Sequence, residues 1–407
     1  MDASQAAARH ARAGALVLTA TDRPVLVVGA GLAGAVHARV LAEAGHDVHV
    51  IDRRPHVAGN AHDEVDATGV RRHVYGPHLF HTNSDRVHAW LLRFTTFLPY
   101  EHRVTVRLPE GRGFVPVPVN RTTVNTVFGQ RLETEAEVAE FLARVAVPVE
   151  RPRNAAEWLH ARVGTTLTDL LFRPYSRKMW GVELEDLDAS VVRRVPTRHD
   201  DEDRYFPTAR HQGMPRDGYT EMVRRMLDHP RIRVETGVAF ERAMLREHAF
   251  CFASSSIDEW FGYALGPLPY RSIRFHHRTE PARASFGPTV QVNLVEHPTF
   301  TRHCDWSLLP GHVVRATGSK TVTHDEPCDV RDNGHERYYP VPDGSGENAA
   351  LYRRYVALAA AERDVAFVGR CGTYRYLDMD QVVGQSLESA HAWLRGAPPA
   401  PAAEPRG

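Results

Sequence analysis

The chain has 407 residues with 50 basic and 50 acidic side chains, so its formal net charge is zero and general binding to nucleic acids or membrane surfaces is not expected. No apolar run reaches the length of a membrane span, and the four cysteines lack the spacing of a disulfide framework, which favours a reducing cytoplasm. The 24 histidines are scattered without a metal-binding motif, so we expect no metal site.

A nucleotide-binding unit begins near the N-terminus, after an extension of residues 1–22 that we expect to be disordered. Val25–Val28 is a short apolar run typical of a strand that is buried on both faces. A helix over Leu32–Ala44 and a second strand over Asp47–Ile51 follow. This order of elements predicts a βαβ unit.

The turn between the first strand and the helix carries glycines at G-x-G-x-x-G spacing. Gly29 would form the tight turn, Gly31 would let backbone approach a pyrophosphate, and Gly34 would let the helix pack on the strand. Asp52, about twenty residues on, would accept hydrogen bonds from the adenosine ribose. The loop Arg53–Asn60, which includes Gly59, resembles the second FAD-contacting loop of two-dinucleotide-domain flavoproteins and indicates FAD rather than NAD.

The central part of the chain predicts a hairpin, a helical insertion and a sheet. The hairpin pairs Val104–Leu108 with Phe114–Val119 across a glycine-containing turn. The predicted helices of the insertion are Glu135–Arg144, Ala155–Val163, Leu167–Tyr175 and Asp188–Arg194. Strand-like segments, which indicate a mixed or antiparallel sheet forming a substrate wall, include Thr289–Val295 and Val313–Ala316.

The remaining elements return the chain to the nucleotide-binding domain. They are the helices Gly218–Leu227, Asn348–Ala361 and Asp380–Trp393 and the strands Ile232–Val238, Phe250–Ala253 and Val365–Val368. A strand, a polar loop and a helix are the usual end of an FAD domain, where the helix N-terminus faces the flavin.

We therefore predict an α/β protein with a Rossmann-like FAD-binding domain, an inserted helical domain and a mixed or antiparallel sheet domain for the substrate. The FAD-binding domain would be assembled from three separate parts of the chain. The expected segments are 1–22 (disordered extension), 23–120 (FAD-binding), 121–195 (helical insertion), 196–265 (FAD-binding and connecting), 266–345 (substrate sheet), 346–395 (FAD-binding) and 396–407 (disordered tail).

Several motifs appear in the order found in one enzyme family. They include GAGLAG (from Gly29), YGPHLFHT (from Tyr75), YSRKMWG (from Tyr175), RVPTR (from Arg194), YF (Tyr205 and Phe206), FTR (from Phe300), RYYP (from Arg337) and GRCGTYRYLDMDQ (from Gly369). From about Pro24 to about Trp393 the chain resembles the flavin-dependent UDP-galactopyranose mutases. The resemblance implies a non-redox conversion of a nucleotide-diphospho sugar between pyranose and furanose forms, with reduced FAD attacking the anomeric carbon through N5.

The resemblance also implies roles for residues on the substrate side. Arg198 and Arg302 match the two arginines that bind the diphosphate, a task suited to planar, permanently charged donors. Tyr175 and Trp180 match the aromatic pair at the uridine end. Either Tyr338 or Tyr339, together with Tyr376, matches the tyrosines that bind phosphate. The other expected substrate contacts are His102, Tyr205 and Asn293.

On the cofactor side, the resemblance places His81 beside the isoalloxazine, where it would tune the protonation of the ring. Arg370 would pair with the FAD pyrophosphate or the flavin edge, while Asp378 and Met379 would lie at the N-terminus of the last helix. The other expected cofactor contacts are Leu32, Ala33, Asn60, His78 and Val238.

Several departures from the family pattern lie near these sites, including Cys304–Trp306 and His324–Pro327. Ala58 replaces the first glycine of the FAD loop, His102 stands where the family usually has Asn, and Ser254–Ser256 replaces T-G-P. They suggest a different nucleotide sugar or an altered flavin affinity.

Two other functions stay open. An amine oxidase-like FAD oxidoreductase would share the N-terminal unit, although it would have no reason to keep Arg198, Arg302 and the tyrosines. A non-catalytic homologue is supported only by Ala58 and the serine run. The expected partner is a nucleotide-diphospho sugar, with no nucleic acid and no membrane. The sugar, the base and the oligomeric state, for which a homodimer is a candidate, are open.

Overall fold

The structure is a computed structural model that describes residues 23–193, 195–312, 318–341 and 344–397. The expected disordered extension, nearly all of the expected tail and the expected strand Val313–Ala316 lie outside these residues. Among the helices in the described ranges, none has both the length and the apolar character that a membrane span requires.

The strands are β1 Val25–Val28, β2 Val48–Asp52, β3 Asp63–Val65, β4 Arg71–His73, β5 Phe80–Thr82, β6 Phe97–Pro99, β7 Val104–Arg107, β8 Phe114–Val117, β9 His211–Pro215, β10 Ile232–Thr236, β11 Phe250–Ala253, β12 Tyr270–Pro281, β13 Gln291–Leu294, β14 Arg302–Asp305, β15 Ser319–Asp329, β16 Tyr339–Pro340 and β17 Val365–Phe367. The helices are α1 Leu32–Glu43, α2 Asp85–Leu91, α3 Arg121–Phe128, α4 Glu135–Val145, α5 Ala155–Leu167, α6 Arg173–Trp180, α7 Ser190–Arg193, α8 Tyr219–Leu227, α9 Ile257–Trp260, α10 Glu347–Ala359, α11 Gly369–Gly372 and α12 Met379–Leu394.

A parallel sheet carries the nucleotide-binding unit, as the sequence predicts. Its strands lie in the order β10-β2-β1-β11-β17, and each neighbouring pair runs parallel. All four residues of β1 are buried, because helices cover the sheet and an apolar run can satisfy both faces. The helices α1, α8 and α12 contact one another or the strands through a shared hydrophobic core. The α/β fold class is therefore confirmed.

A mixed sheet forms the second large layer. Its strands lie in the order β16-β12-β15-β14-β13-β7-β8, and the pair β13–β7 is parallel whereas the other pairs are antiparallel. The predicted hairpin is confirmed as β7 and β8. The long pair β12–β15 runs from Arg271 opposite Asp329 to Pro281 opposite Ser319. This sheet presents one face to the helices α3–α7.

Two helices of the insertion differ from the prediction. In place of a helix over Leu167–Tyr175, a π-helical turn spans Thr168–Phe172 and α6 begins at Arg173. Pro174 explains the restart, since proline lacks an N–H and is accommodated only in the first turn of a helix. The prediction of Asp188–Arg194 is also too long, because the Asp188 carboxylate accepts from the N–H of Ser190 and the described helix is only α7.

A small antiparallel sheet of order β5-β9-β6 completes the part that holds the site. Strand β9 is not predicted, because His-Gln-Gly-Met-Pro shows no alternation of apolar and polar residues. In this sheet His81 is paired with Gln212, so β9 fixes where the His81 backbone lies.

Candidate functional site

Two cavities lie near the carboxyl ends of the parallel strands. The first cavity, of about 380 Å³, is lined by the ends of β1, β2 and β11 and by Val238–Phe240. The second cavity, of about 480 Å³, lies between the mixed sheet, α6 and the N-terminus of α12. Asn60 lines both cavities. One elongated ligand could therefore reach from the first cavity into the second.

Asp52 ends β2 and lines the first cavity. Its carboxylate accepts hydrogen bonds from the N–H groups of Ala30 and Arg54, each at 2.8 Å. A carboxylate has about four acceptor positions, so capacity remains for hydroxyl donors in the cavity. The N–H of Val238 donates to the Asp52 carbonyl at 2.9 Å, which brings Val238 into the same wall although β10 ends earlier than predicted, at Thr236.

The three glycines of the first turn differ in whether the fold itself requires glycine at that position. A Cβ on Gly34 would lie 1.9 Å from the Gly29 carbonyl oxygen, so close packing of helix on strand requires it. Gly29 has φ of +105°, which favours glycine. A Cβ on Gly31, in contrast, would meet only Gly59, at 3.6 Å. The fold itself thus accommodates a Cβ at Gly31 without a clash, at the residue that precedes the first turn of α1.

The N-terminus of α1 suits a pyrophosphate. Among the described residues no side chain caps α1 at Gly31, so the first-turn N–H groups are available to an anion, and the helix dipole favours negative charge there. Leu32, Ala33 and Gly34 belong to this first turn. The cradle and the Asp52 carboxylate together fit a dinucleotide.

Ala58 lies in the loop that closes over this cradle. Its backbone is left-handed, with φ of 74°, and its N–H donates to the Ala30 carbonyl at 2.9 Å. The left-handed conformation costs an alanine roughly 1–2 kcal/mol. The methyl group is buried in the core and lines neither cavity, so it does not narrow the space for a ligand in either of them.

Paired charges surround the first cavity. Arg54 forms an ion pair with Glu336, and its guanidinium lies 4.2 Å from the centre of the Tyr75 ring. Arg337 is buried, with Nη1 at 2.8 Å from Glu259 Oε2. Arg53 Nη1 lies 3.3 Å from the other oxygen of Glu259. Of these residues only Arg53 is a predicted cofactor contact. The glutamate partners of the arginines lie far from Arg53 and Arg54 in the chain, so no local motif points to these pairs.

The serines that depart from the family pattern also line the first cavity. Ser254 Oγ donates to the Val28 carbonyl at 2.8 Å, and Ser255 and Ser256 follow it along the same wall. This places Ser254–Ser256 at the Asp52 end of the site rather than beside the second cavity.

Two predicted histidines line one end of the second cavity. His78 Nδ1 lies 2.9 Å from the Gly76 carbonyl oxygen, and burial lowers the pKa of His78 to about 3, so its ring is neutral. His81 stacks on Phe206 with ring centres 3.5 Å apart. Its Nε2 lies 4.0 Å from Asp378 Oδ2.

Asp378 caps α12 and aims that helix at the second cavity. A capping box with Gln381 fixes the first turn, and Asp378 and Met379 both line the cavity. Arg370 Nη2 donates to the Leu377 carbonyl at 2.6 Å, while its guanidinium lies 4.7 Å from the centre of the Tyr376 ring. Arg370 therefore holds the loop before α12 and lines the second cavity, while its contact with the cofactor stays a prediction.

Arg302 presents a buried positive charge to the second cavity. It stands opposite Asp325 in the β14–β15 pair, and its Nε lies 2.8 Å from Asp325 Oδ2. Burial alone would lower the pKa of Arg302, but the Asp325 carboxylate raises it well above its ordinary value. Burial raises the pKa of Asp325, and Arg302 opposes that rise. The guanidinium is thus permanently charged and oriented by one carboxylate.

Aromatic side chains form the facing wall. Trp180 meets Tyr339 edge-on at 6.2 Å, and Tyr339 stacks on Tyr376 at 5.6 Å between ring centres. Burial raises the pKa of Tyr175 to about 12, and it also raises that of Tyr338, so both hydroxyls stay protonated and can donate hydrogen bonds. Tyr205 and Asn293 also line this cavity.

His102, which departs from the family pattern, is buried in the wall of the second cavity. Its Nδ1 lies 3.2 Å from the Tyr100 hydroxyl, and burial lowers the pKa of His102 to about 3. Tyr75, Phe206 and Gln291 line the same cavity without having been assigned a role. The sequence does point to Tyr75 and Phe206, since both belong to motifs shared with the family.

Arg198 is the predicted substrate residue that the structure does not bring to the second cavity. Its Nη1 donates to the carbonyls of Glu202 at 3.0 Å and Arg204 at 2.7 Å, so the guanidinium is turned into its own loop. Ion pairs hold this loop at its other end, including Arg204 to Glu101 at 2.9 Å.

Known proteins resemble this chain in sequence and in fold. A family model described as UDP-galactopyranose mutase matches residues 170–376, and one described as an NAD(P)-binding Rossmann-like domain matches residues 27–94. A protein of Klebsiella pneumoniae named "Probable UDP-galactopyranose mutase" is 33% identical over 92% of this chain and 95% of its own length. The dTDP-fucopyranose mutase of Escherichia coli is 33% identical over 91% of this chain and 98% of its own. A crystal structure of reduced UDP-galactopyranose mutase has the same fold, with a TM-score of 0.70 at 18% identity over 92% of this chain and 96% of that one.

Proposed function

The chain belongs to the UDP-galactopyranose mutase family, and we propose that it interconverts the pyranose and furanose forms of a nucleotide-diphospho sugar, using reduced FAD held across the two cavities. The observation that carries the proposal is Arg302, a buried and permanently charged guanidinium in the wall of a tyrosine-lined cavity that adjoins a dinucleotide cradle. An oxidase acting on an amine would gain nothing from a buried cation at its substrate, because like charges repel in a poorly solvated site.

The cofactor would be held by groups on both sides of Asn60. Asp52 would accept from the adenosine ribose, the first turn of α1 would receive the pyrophosphate, and His78, His81 and Met379 would surround the flavin ring. When bound and reduced, the flavin supplies the nucleophile for the anomeric carbon.

The protein's own groups would bind the substrate and stabilise its leaving group. Arg302 would donate to the diphosphate, whose negative charge grows as the anomeric bond breaks, so the contact favours the transition state over the ground state. Hydroxyls of Tyr339 and Tyr376 would add neutral donors. Tyr175 and Trp180 would stack on or flank the base.

Arg198 would complete this clamp only after a change in its loop. The guanidinium would have to exchange its bonds to the Glu202 and Arg204 carbonyls for bonds to the diphosphate. A charged acceptor makes stronger hydrogen bonds than a carbonyl does, which gives that exchange a driving force.

Two substrates come first because of the relatives' names. UDP-galactopyranose and dTDP-fucopyranose are each the substrate named for a relative at 33% identity. The four cysteines are free thiols, which supports a reducing cytoplasm as the location. A homodimer stays a prediction.

The test is an assay of dithionite-reduced protein against UDP and dTDP sugars, with product ring size read by NMR. We expect furanose product from at least one sugar, no net use of reductant, and no turnover by the oxidised protein. Oxygen-consuming turnover of an amine or alcohol would replace the proposal with the oxidoreductase alternative. Purified protein that takes up no flavin would instead support a non-catalytic homologue.

A further inference from the structure

Lys178 stands between Tyr175 and Trp180 in α6, yet it does not line the second cavity. Its ammonium donates to the main-chain carbonyls of the turn between β13 and β14. The contacts of Nζ are Leu294 O, His297 O at 2.7 Å, Phe300 O at 3.0 Å and Val295 O at 3.4 Å.

No carboxylate in the described ranges lies within ion-pair distance of Lys178. The turn carries two titratable residues, the exposed Glu296 and His297. Burial lowers the pKa of His297, and the cations Lys178, Arg107 and Arg278 help to lower it. His297 Nδ1 accepts from the N–H groups of Thr299 and Phe300 and so belongs to the internal bonding of the turn. The ammonium is therefore held by carbonyl dipoles alone, in the way that carbonyls surround a bound cation.

These carbonyls need a donor. Main-chain carbonyls away from water are almost always hydrogen-bonded, and within the described ranges no main-chain N–H donates to the part-buried carbonyls of His297 and Phe300. Removing the ammonium would leave several of them without a partner at once, so the turn would have to change its conformation.

The turn leads directly into the substrate clamp. Phe300 is two residues before Arg302, the first residue of β14. The helix α6 is also held by Arg271 of β12. Arg271 donates from Nε to the Met179 carbonyl at 2.9 Å and from Nη2 to the Lys178 carbonyl at 3.3 Å. Lys178 thus connects the helix of the aromatic wall to the strand of the buried cation.

We propose that Lys178 is a positioning residue, whose ammonium holds the β13–β14 turn against α6 and so sets the separation between Arg302 and the aromatic wall. The effect on turnover rests on the proposed function, whereas the effect on the turn does not. Misplacing a binding group by about 1 Å can cost on the order of a hundredfold in rate, which bounds the effect to expect.

Deprotonation of Lys178 should also lower the activity at alkaline pH. Burial lowers the pKa of Lys178 to about 8. Below that pH the ammonium offers three donors and a full charge, and above it the neutral amine offers two donors and no charge. We therefore expect kcat/KM to fall as the pH rises through about 8.

The test compares Lys178→Met with Arg177→Met in the full-length, flavin-loaded protein. Methionine keeps the length of the lysine stem, and Arg177 is a matched control because it is one residue away on the same helix and only pairs with exposed Glu183 at 2.6 Å. Hydrogen exchange at residues 294–302, kcat/KM with reduced protein and the flavin spectrum are measured.

For Lys178→Met we expect faster exchange at residues 294–302, a fall of roughly tenfold to a hundredfold in kcat/KM, and an unchanged flavin spectrum. Arg177→Met should match the wild type in all three. Lys178→Arg keeps the charge at alkaline pH, so it should recover part of the activity and lose the decline above pH 8.

Wild-type exchange at residues 294–302 in Lys178→Met would overturn the proposal. Should that variant fail to fold, an alkaline decline that Lys178→Arg still shows would overturn it instead. A wild-type protein without mutase activity would overturn the proposed function alone, and the exchange data would still decide whether Lys178 holds the turn.

Discussion

The two cavities meet at Asn60, yet they recognise their ligands with different chemistry. In the first cavity the recognition groups are main-chain N–H groups, a cradle between glycines and one carboxylate, and the surrounding arginines are matched by glutamates. In the second cavity the groups are side chains: one buried arginine with one carboxylate, neutral histidines and stacked tyrosines. Recognition by main-chain groups depends on the spacing of residues within one local segment. Recognition by side chains depends on which segments, distant in the sequence, the fold brings together.

The largest effect that this contrast predicts is at Gly31, in the glycine turn that leads into α1, where a Cβ would meet no clash. Gly31→Val should abolish flavin binding, because the side chain would fill the space where a pyrophosphate approaches the first turn of α1. The measurement is the flavin absorbance of purified protein, with folding checked by circular dichroism.

Gly384→Ala is the control for the loss of a glycine. Gly384 lies within α12 and lines neither cavity, and an added Cβ there would make only an ordinary 3.6 Å contact with Val87. It should stay yellow, and a fully yellow Gly31→Val would show that the pyrophosphate site is assigned wrongly.

Next in size is the removal of the buried cation from the second cavity. Arg302→Ala should cost roughly 2–4 kcal/mol in transition-state stabilisation, on the order of a hundredfold or more in kcat/KM of the reduced protein. Arg302→Lys should recover little, since an ammonium cannot make the bidentate contact. The flavin spectrum should persist, because the dinucleotide cradle is separate.

Arg274→Ala is the control for charge removal, since Arg274 pairs with Glu326 at 2.9 Å and lines neither cavity. If Arg302→Ala turned over as fast as Arg274→Ala, the second cavity would not be a diphosphate site.

The neutral histidines give the second cavity a pH signature. Burial lowers the pKa of His102 from 6.5 to about 3, so the unfolded chain takes up a proton first and stability falls as the pH drops below about 6.5. Each such histidine should contribute about 1 kcal/mol to the loss between pH 6.5 and 5.5. Urea unfolding at both pH values should therefore show a loss that is about 1 kcal/mol smaller for His102→Asn. Exposed His199, changed to Asn, should leave the loss unaltered.

The smallest effect belongs to the paired charges of the first cavity. Glu259→Gln removes the charge of one partner of Arg337, which keeps the Tyr263 hydroxyl at 2.7 Å and the His335 carbonyl at 3.3 Å. The Glu259 side chain is 39% exposed, and the glutamine oxygen can still accept from Arg337, so the cost should be about 1 kcal/mol. Thermal unfolding of the flavin-bound protein measures it. A loss of folding stability of roughly 3 kcal/mol or more, as for breaking a buried ion pair, would remove the distinction between the two cavities.

The same contrast explains what could be predicted from the sequence. The unit from β1 to Asp52 follows from spacing, since its turn, helix and strand are neighbours in the chain. The pairing of Arg54 with Glu336 spans most of the chain, and no local pattern announces it. The residues of the second cavity were found only through family motifs, and the motif at Arg198 gave the residue but not the direction of its guanidinium. The π-helical turn before α6 was missed because periodicity alone does not register one extra residue in a turn.

The left-handed Ala58 links cofactor supply to the lifetime of the protein. The loop holds a strained residue, and the Ala58 N–H to Ala30 carbonyl bond ties it to the turn beside the pyrophosphate cradle. A ligand that binds only the closed loop adds RT ln(1 + [L]/Kd) to stability, about 2.7 kcal/mol when free ligand is 100-fold above Kd. Without the cofactor, opening of the loop lacks this opposing free energy. Opening also releases the strain of the left-handed Ala58 backbone. Flavin-starved protein should consequently be cut by proteases first between Arg53 and Asn60.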